Sequence, residues 1–380
     1  MIQFYYFHLM PWPHLPDDFD RQNSSSWVTL SNRLYDPKRG HALYNEYLDE
    51  LELAEQLGYD GLGVNEHHQS AYGTMPSPNL MAAALVRRTS RAKIAILGNA
   101  LPLRDHPLRV AEEVAMLDVM SGGRIVSGFV RGIGCEYLSL GVNPTDSRER
   151  FYEAHNLILR AWTEDGPFSF EGKHYQVRYA NVWPRPLQRP HPPIWLPSQG
   201  SNETIEWAAQ HRYPFVSVFT SAAQSRRLVN EYKAAAELAG YSAPRSQIGC
   251  ALPIYVAETD ERARNEARPH IEWLFHRGLK IPPHFLLPPG YITENSLRKF
   301  IGTGLRHPSE LSFEELDAGG YFLVGSARTI ADRLADIHAS LGFGIFIGAG
   351  RIGDMSHDKA VKSMELFARE VIPKLRGIGS

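Results

Sequence analysis

Residues Asn65-Glu66-His67-His68 bring two imidazoles and a carboxylate together, directly after the short apolar run Gly61-Leu62-Gly63-Val64. A histidine can hold or pass a proton near neutral pH, and a carboxylate can fix its tautomer. A single ring there would as easily pack or cap the next helix; two adjacent rings at a strand exit favour chemistry. A second group, Arg131-Gly132-Ile133-Gly134, follows another apolar run. An arginine beside glycines can reach a phosphate while the backbone approaches closely, although one arginine in a turn is a weak sign by itself. The third group is Ser198-Gln199-Gly200-Ser201-Asn202-Glu203-Thr204, which opens a helical pattern. Free N–H groups at a helix start, joined by the Ser201 and Thr204 hydroxyls, make an anion site, whereas capping alone needs only one of them.

Other candidates carry less. Gly348-Ala349-Gly350-Arg351-Ile352-Gly353 fits the G-x-G-x-x-G pattern after a strand. A dinucleotide fold needs a further strand bearing an acid about 20 residues on, and none follows. At an eighth strand exit the motif can still touch a ligand phosphate. Cys135 lacks a recognisable base and is read as a bystander. Strand one ends in a single histidine, His8, and Asp354 lies well past the last strand, so no metal centre is expected.

These residues need a scaffold. The chain has 380 residues, 43% of them apolar, which suffices for a large core. A formal net charge of -2 gives no electrostatic case for nucleic acid or an anionic membrane as partner. Two distant cysteines, Cys135 and Cys250, fit a reducing cytoplasm rather than a disulfide framework. The aromatic start Met1-Ile2-Gln3-Phe4-Tyr5-Tyr6-Phe7 reads as a strand, not a signal peptide, and every apolar run is too short to span a bilayer.

Apolar runs predict strands at 2–8, 60–65, 93–98, 124–130, 193–197, 214–218, 247–256 and 343–347. Helical patterns lie between them at 43–57, 77–91, 107–121, 148–163, 202–211, 222–239 and 259–276, with a last pair at 326–340 and 356–375. Gly58 and Gly122-Gly123 suit left-handed helix ends, Ser77-Pro78 suits a helix start, and Asn202 precedes the next. Alternation over this length predicts one (β/α)8 barrel domain over residues 1–380, with a doubly wound sheet as the main rival. Three insertions are expected, near 9–42, 164–192 and 278–321. The second reads as a small hairpin with a proline-rich arm; the first and third, rich in aromatics such as Trp12, Trp27, Phe285 and Tyr291, are candidate lids, with Tyr72 a further pocket aromatic.

With these residues in hand, the chain resembles the bacterial luciferase-like family of flavin-dependent monooxygenases. The resemblance runs over nearly the whole length. It includes Gly58-Tyr59-Asp60, Glu66-His67-His68, His106-Pro107 with Ala111-Glu112-Glu113, and Leu117-Asp118-Val119-Met120-Ser121-Gly122-Gly123-Arg124. Gly128 to Gly132, Phe170-Glu171-Gly172-Lys173-His174-Tyr175, Pro184-Arg185-Pro186-Leu187-Gln188 and Glu206-Trp207-Ala208-Ala209 follow in order. The resemblance implies a TIM barrel with inserted lids that binds reduced FMN, or in a sister branch F420, and assembles as a homodimer or homotetramer. It implies an NAD(P)H:flavin reductase as FMNH2 supplier, a flavin C4a-hydroperoxide, and oxygen transfer to an apolar small-molecule substrate. It places the phosphate on Arg131, Ser201 and Thr204 with Gly200 nearby, and a non-proline cis peptide at Gly98-Asn99, with Asn99 against the flavin ring. His67 matches the histidine that supports the hydroperoxide, with Glu66 and His68 as its orienting neighbours. Gly200 stands where luciferase has a phosphate-side glutamate, and the lid differs, so light emission does not follow. F420-dependent hydride transfer and a flavin-binding protein without turnover remain the alternatives.

Overall fold

A computed structural model describes residues 1–293, 298 and 306–378. Eight parallel strands close on themselves: β1 (Gln3–Phe7), β2 (Gly61–Val64), β3 (Lys93–Ala100), β4 (Ile125–Val130), β7 (Ile194–Ser198), β8 (Phe215–Val218), β9 (Ile248–Ala257) and β11 (Ile345–Ala349). Closure is carried by Phe215 opposite Ile248, Ile345 opposite Gly249 and Gln3 opposite Ile345. The doubly wound alternative is thereby excluded.

Why these runs form a barrel is visible in their two-residue period. On β1, Phe4 and Tyr6 pack outward into the layer shared with the helices. Tyr5 and Phe7 turn the other way and meet Ala95, Val126, Trp195, Val216, Ala251 and Ile347 in the barrel interior. The interior is a packed core, so any chemistry must sit at a rim. The larger helices run α1 (Pro37–Gln56), α2 (Pro78–Arg88), α3 (Pro107–Ser121), α4 (Gly134–Leu140), α5 (Ser147–Thr163), α6 (Asn202–Gln210), α7 (Ala222–Leu238), α8 (Asp260–Glu272), α9 (Ala327–Leu341) and α10 (His357–Leu366). No helix among the described residues is long and apolar enough to cross a membrane.

Several expectations need adjustment. Helix α1 starts at Pro37, capped by the Asp36 side chain, so the first insertion ends earlier than 42. Ser77 precedes α2 but makes no side-chain cap bond. Ser201, not Asn202, caps α6. Gly58, Gly122 and Gly123 take the positive φ expected of them. The hairpin forms as β5 (Phe168–Glu171) and β6 (Gln176–Ala180). A short strand that the sequence did not announce, β10 (Leu323–Ser326), extends the far end of β9 in parallel. The third insertion carries short helices at Pro283–Leu286 and Phe313–Ala318, while 294–297 and 299–305 lie outside the described residues.

Candidate active site

The strand alternation sorts the Glu66-His67-His68 motif. Continued past β2, it puts Glu66 and His68 on one side of the chain and His67 on the other. Glu66 accepts a hydrogen bond from His68 Nε2 at 2.8 Å, is paired with Arg104, and accepts the Ala100 N–H at 3.3 Å. His67 meets the edges of Trp27 and Tyr72, each with ring centroids 5.1 Å away. Trp27 and Tyr72 stack on each other, and the Trp27 indole N–H donates to the Gly278 carbonyl at 2.9 Å. Trp27 of the first insertion and Tyr72 of the loop after β2 thus wall the His67 ring, and Gly278, at the start of the third insertion, anchors Trp27.

Glu66 is therefore not the carboxylate that orients His67. That group is Glu136, in the first turn of α4. Its Oε1 accepts from His67 Nδ1 at 3.3 Å and from the His68 N–H at 3.0 Å, and its Oε2 accepts from the Ile133 N–H at 2.7 Å. Burial pushes the Glu136 carboxyl up, but the bonds from His67 and the two N–H groups outweigh it and hold it below the usual carboxylate range. His67 Nε2 makes no hydrogen bond among the described residues.

Beneath this group, β3 and β4 approach unusually closely. A Cβ on Gly98 would lie 2.3 Å from the Gly128 carbonyl oxygen, and one on Gly128 would lie 2.1 Å from the Ile96 oxygen. Only glycine fits at either place. The ladder slips between Ile96 and Asn99 there, and the cis peptide falls at Leu97–Gly98, one bond earlier than expected. Asn99 is fully buried, and neither side-chain amide atom has a partner.

The residues that the sequence offered as an anion site lie on the adjacent exits of β4 and β7. Arg131 donates to Ser147 Oγ at 3.2 Å and to the Tyr291 carbonyl at 3.1 Å, with the Tyr291 ring 4.7 Å from its guanidinium carbon. Arg148, next to Ser147, pairs with Glu203 in the first turn of α6 at 3.4 Å, yet its Nη1 is buried without a partner. Ser201 and Thr204 join their hydroxyls at 2.7 Å on the same turn. Burial pushes the Tyr291 phenol up, against the pull of both guanidiniums, and the ring of Tyr291, from the third insertion, lies against Arg131. Arg148 was missed in the sequence, hidden in the charged run Ser147-Arg148-Glu149-Arg150. Gly200 suits its place for a backbone reason: its φ is +100°, and a Cβ there would meet the Leu228 side chain at 2.2 Å.

Three further residues are excluded from chemistry or reassigned. Burial and the neighbouring Glu136 push the Cys135 thiol up to about 12, so it is inert. Arg351 of the glycine motif does not face a phosphate; it is buried in ion pairs with Glu50 and Glu46 of α1. His8 donates from Nε2 to Glu50 at 3.1 Å and accepts the Met10 N–H on Nδ1 at 2.9 Å. Glu46, Glu50 and His357 lie close enough to hold a cation, but the Arg351 guanidinium already fills that role.

Comparison with known proteins agrees with this geometry. The family model for luciferase-like monooxygenases matches residues 25–343. The chain is 30% identical over 350 residues to 4-hydroxyprotoasukamycin monooxygenase of Streptomyces nodosus subsp. asukaensis, covering 86% of each protein. It is 25% identical to the oxygenase component of flavin-dependent trigonelline monooxygenase of Acinetobacter baylyi, covering 90% of this chain and 92% of that one. The FMN complex of the oxygenating constituent of 3,6-diketocamphane monooxygenase from Pseudomonas putida shares the fold, with a TM-score of 0.73 at 20% identity over 98% of both chains. A match over this much of the sequence establishes that the chain belongs to the luciferase-like monooxygenase family.

Proposed function

We propose that the protein is the oxygenase of a two-component system, which takes reduced FMN from a separate NAD(P)H:flavin reductase in the cytoplasm and oxygenates an apolar organic molecule. The observation that carries this reading is the phosphate end of the site. Arg148 reaches Glu203 in the first turn of α6, where Ser201 and Thr204 join their hydroxyls, Arg131 bonds the Ser147 next to Arg148, and one buried guanidinium nitrogen, Arg148 Nη1, lacks a partner. A buried donor left unpaired costs roughly 1–3 kcal/mol, which a dianionic phosphate would recover. The close approach of β3 and β4 at Gly98 and Gly128, beside the unpartnered Asn99 amide, suits a flat ring lying against the backbone. The residues fit FMN in both respects.

Reduced FMN would supply the electrons that activate dioxygen; the remaining tasks fall to the chain. Arg131, Arg148, Ser201 and Thr204 hold the phosphate, and Asn99 contacts the ring. Trp27, Tyr72 and Tyr291 exclude water from the chamber. His67 holds or delivers a proton at Nε2, with Glu66 and His68 forming the wall behind it. The exposed apolar side chains Met116, Val119 and Met120, spaced along one face of α3, support assembly with a second copy.

Anaerobic titration with FMNH2 and with reduced F420, followed by mixing with oxygen, tests the reading. Tight FMNH2 binding, with reoxidation much slower than for free FMNH2, is the expected result. Tight F420 binding without FMNH2 binding would assign the protein to hydride transfer instead.

A further inference from the structure

Glu136 makes three accepting contacts through both oxygens, and it does so with its side chain 1% exposed. Among the described residues no lysine or arginine pairs with it; His67 is its ion-pair partner. A buried carboxylate without a fixed cation is costly, and here peptide N–H groups and one imidazole stabilise it. Glu66 differs, since it is paired to Arg104.

Resting on the reading of His67 as the proton-handling group, we propose that Glu136 is the positioning residue of the site. It holds the His67 proton on Nδ1 and leaves Nε2 as the open nitrogen facing the chamber. The argument is one of valence. An ionised carboxylate only accepts, so a contact with Nδ1 requires hydrogen on Nδ1. In a neutral imidazole the other nitrogen is then a lone pair. The ring is held in place by its edge contacts with Trp27 and Tyr72.

The plainer role for Glu136 is to close the first turn of α4 by accepting the Ile133 N–H. One oxygen is enough for that. Glutamine keeps one acceptor oxygen and replaces the other with a donor, so Glu136→Gln preserves either the turn or the His67 contact, not both. The turn itself is held by the third insertion, because the Tyr291 hydroxyl donates to the Gly132 carbonyl and Pro288 packs against Gly134. The turn is therefore expected to persist when the carboxylate is removed, so Glu136→Ala takes the acceptor from His67 without opening α4, whereas in Glu136→Gln the oxygen can stay with His67 and His68.

The test is the nitrogen-15 spectrum of the His67 ring in the cofactor-free protein, assigned with His67→Gln and recorded where the ring is neutral. The wild type is expected to show the Nδ1–H tautomer, Glu136→Ala a shift to the Nε2–H tautomer, and Glu136→Asp a return towards Nδ1–H. A wild-type ring in the Nε2–H form overturns the proposal without any variant. So does a folded Glu136→Ala protein that keeps Nδ1–H. Oxygen consumption by the FMNH2-loaded proteins separates this from the underlying reading. If the tautomer shifts as expected but His67→Gln and wild type consume oxygen alike, Glu136 positions a ring that has no part in turnover.

Discussion

Two buried carboxylates near the rim of this barrel each gather histidines, and they differ in how completely their surroundings are closed. Glu50, from α1, is fully buried and bonded to Arg351, to His8 at 3.1 Å and to His357 at 2.8 Å. His8 in turn spends its second nitrogen on the Met10 N–H, and Tyr47 lies 5.2 Å below the Arg351 guanidinium carbon. The Arg351 guanidinium neutralises Glu50, and both His8 nitrogens are spoken for, although Arg351 Nε has no partner. Among the described residues Glu136 has no lysine or arginine partner, and the His67 ring that it holds keeps Nε2 open. The Glu50 carboxylate is neutralised by a buried guanidinium and holds the barrel together. The Glu136 carboxylate holds an imidazole whose second nitrogen is left for a ligand, and that difference separates a structural cluster from a candidate site among similar residue types.

The sharpest way to break this contrast is to remove each carboxylate. Glu50→Ala would strand the Arg351 guanidinium in the core, and loss of one partner of a buried pair costs about 3–5 kcal/mol. Urea unfolding should show that loss as a lower midpoint at unchanged slope. Glu136→Gln, which strands no cation, is expected to cost about 1–2 kcal/mol. Equal losses would mean that the Glu136 cluster is structural as well. His67→Ala should reverse the pattern, with a midpoint within about 1 kcal/mol of wild type but product formation lower by roughly 100-fold, the lower range for a lost acid–base group.

The phosphate end allows a second comparison, between FMN and riboflavin as ligands. Hydrogen bonds to charged groups contribute about 1.5–3 kcal/mol each. Arg131→Ala should therefore weaken FMN roughly 10- to 100-fold while leaving riboflavin, which lacks the phosphate, nearly unchanged. Fluorescence titration with both ligands reads the ratio directly. An equal loss for the two would remove Arg131 from the phosphate and leave it as a latch for Tyr291.

The scaffold was legible because strands β1 to β4 and β11 announce themselves as apolar runs of period two, flanked by glycines and prolines. Strand β10 was not, because Phe322-Leu323-Val324-Gly325 is short and abuts the next helix. The members of each site were readable one strand exit at a time, but their partners were not. Glu136 looked like any acid in a first helical turn, and its single clue was the company of Cys135 and Tyr137 in an otherwise apolar turn. Glu50 left a clearer trace, since Tyr47, Glu50, Leu51 and Ala54 share the buried stripe of α1, and a carboxylate on such a stripe needs a partner. The partner itself, Arg351, is 301 positions away, and local pattern carries no information on that pairing.

The smallest expected effect concerns pH, and it belongs to the closed cluster alone. Burial pushes the Glu50 carboxyl up, but its bonds from His357 and His8 and the Arg351 charge prevail and hold it at about 2, against an ordinary 4.5. Its contribution to stability is thus complete above 4.5 and is lost as the pH falls through about 2. The bond to Glu50 raises His357 above its ordinary 6.5, so that contribution is complete below 6.5 and is lost as the pH rises through the raised value. Between about 4.5 and 6.5 these two contributions are both complete, while burial lowers His8, whose contribution runs the other way and weakens as the pH falls below its ordinary 6.5. His357 has a side chain 38% exposed, and solvent screening keeps its share small. Urea midpoints measured across pH should drift down slightly on the alkaline side for the wild type and lose that drift in His357→Gln. A drift that persists in the variant would show that some other group titrates there, and that Arg351 and His8 hold Glu50 without help from the rim histidine.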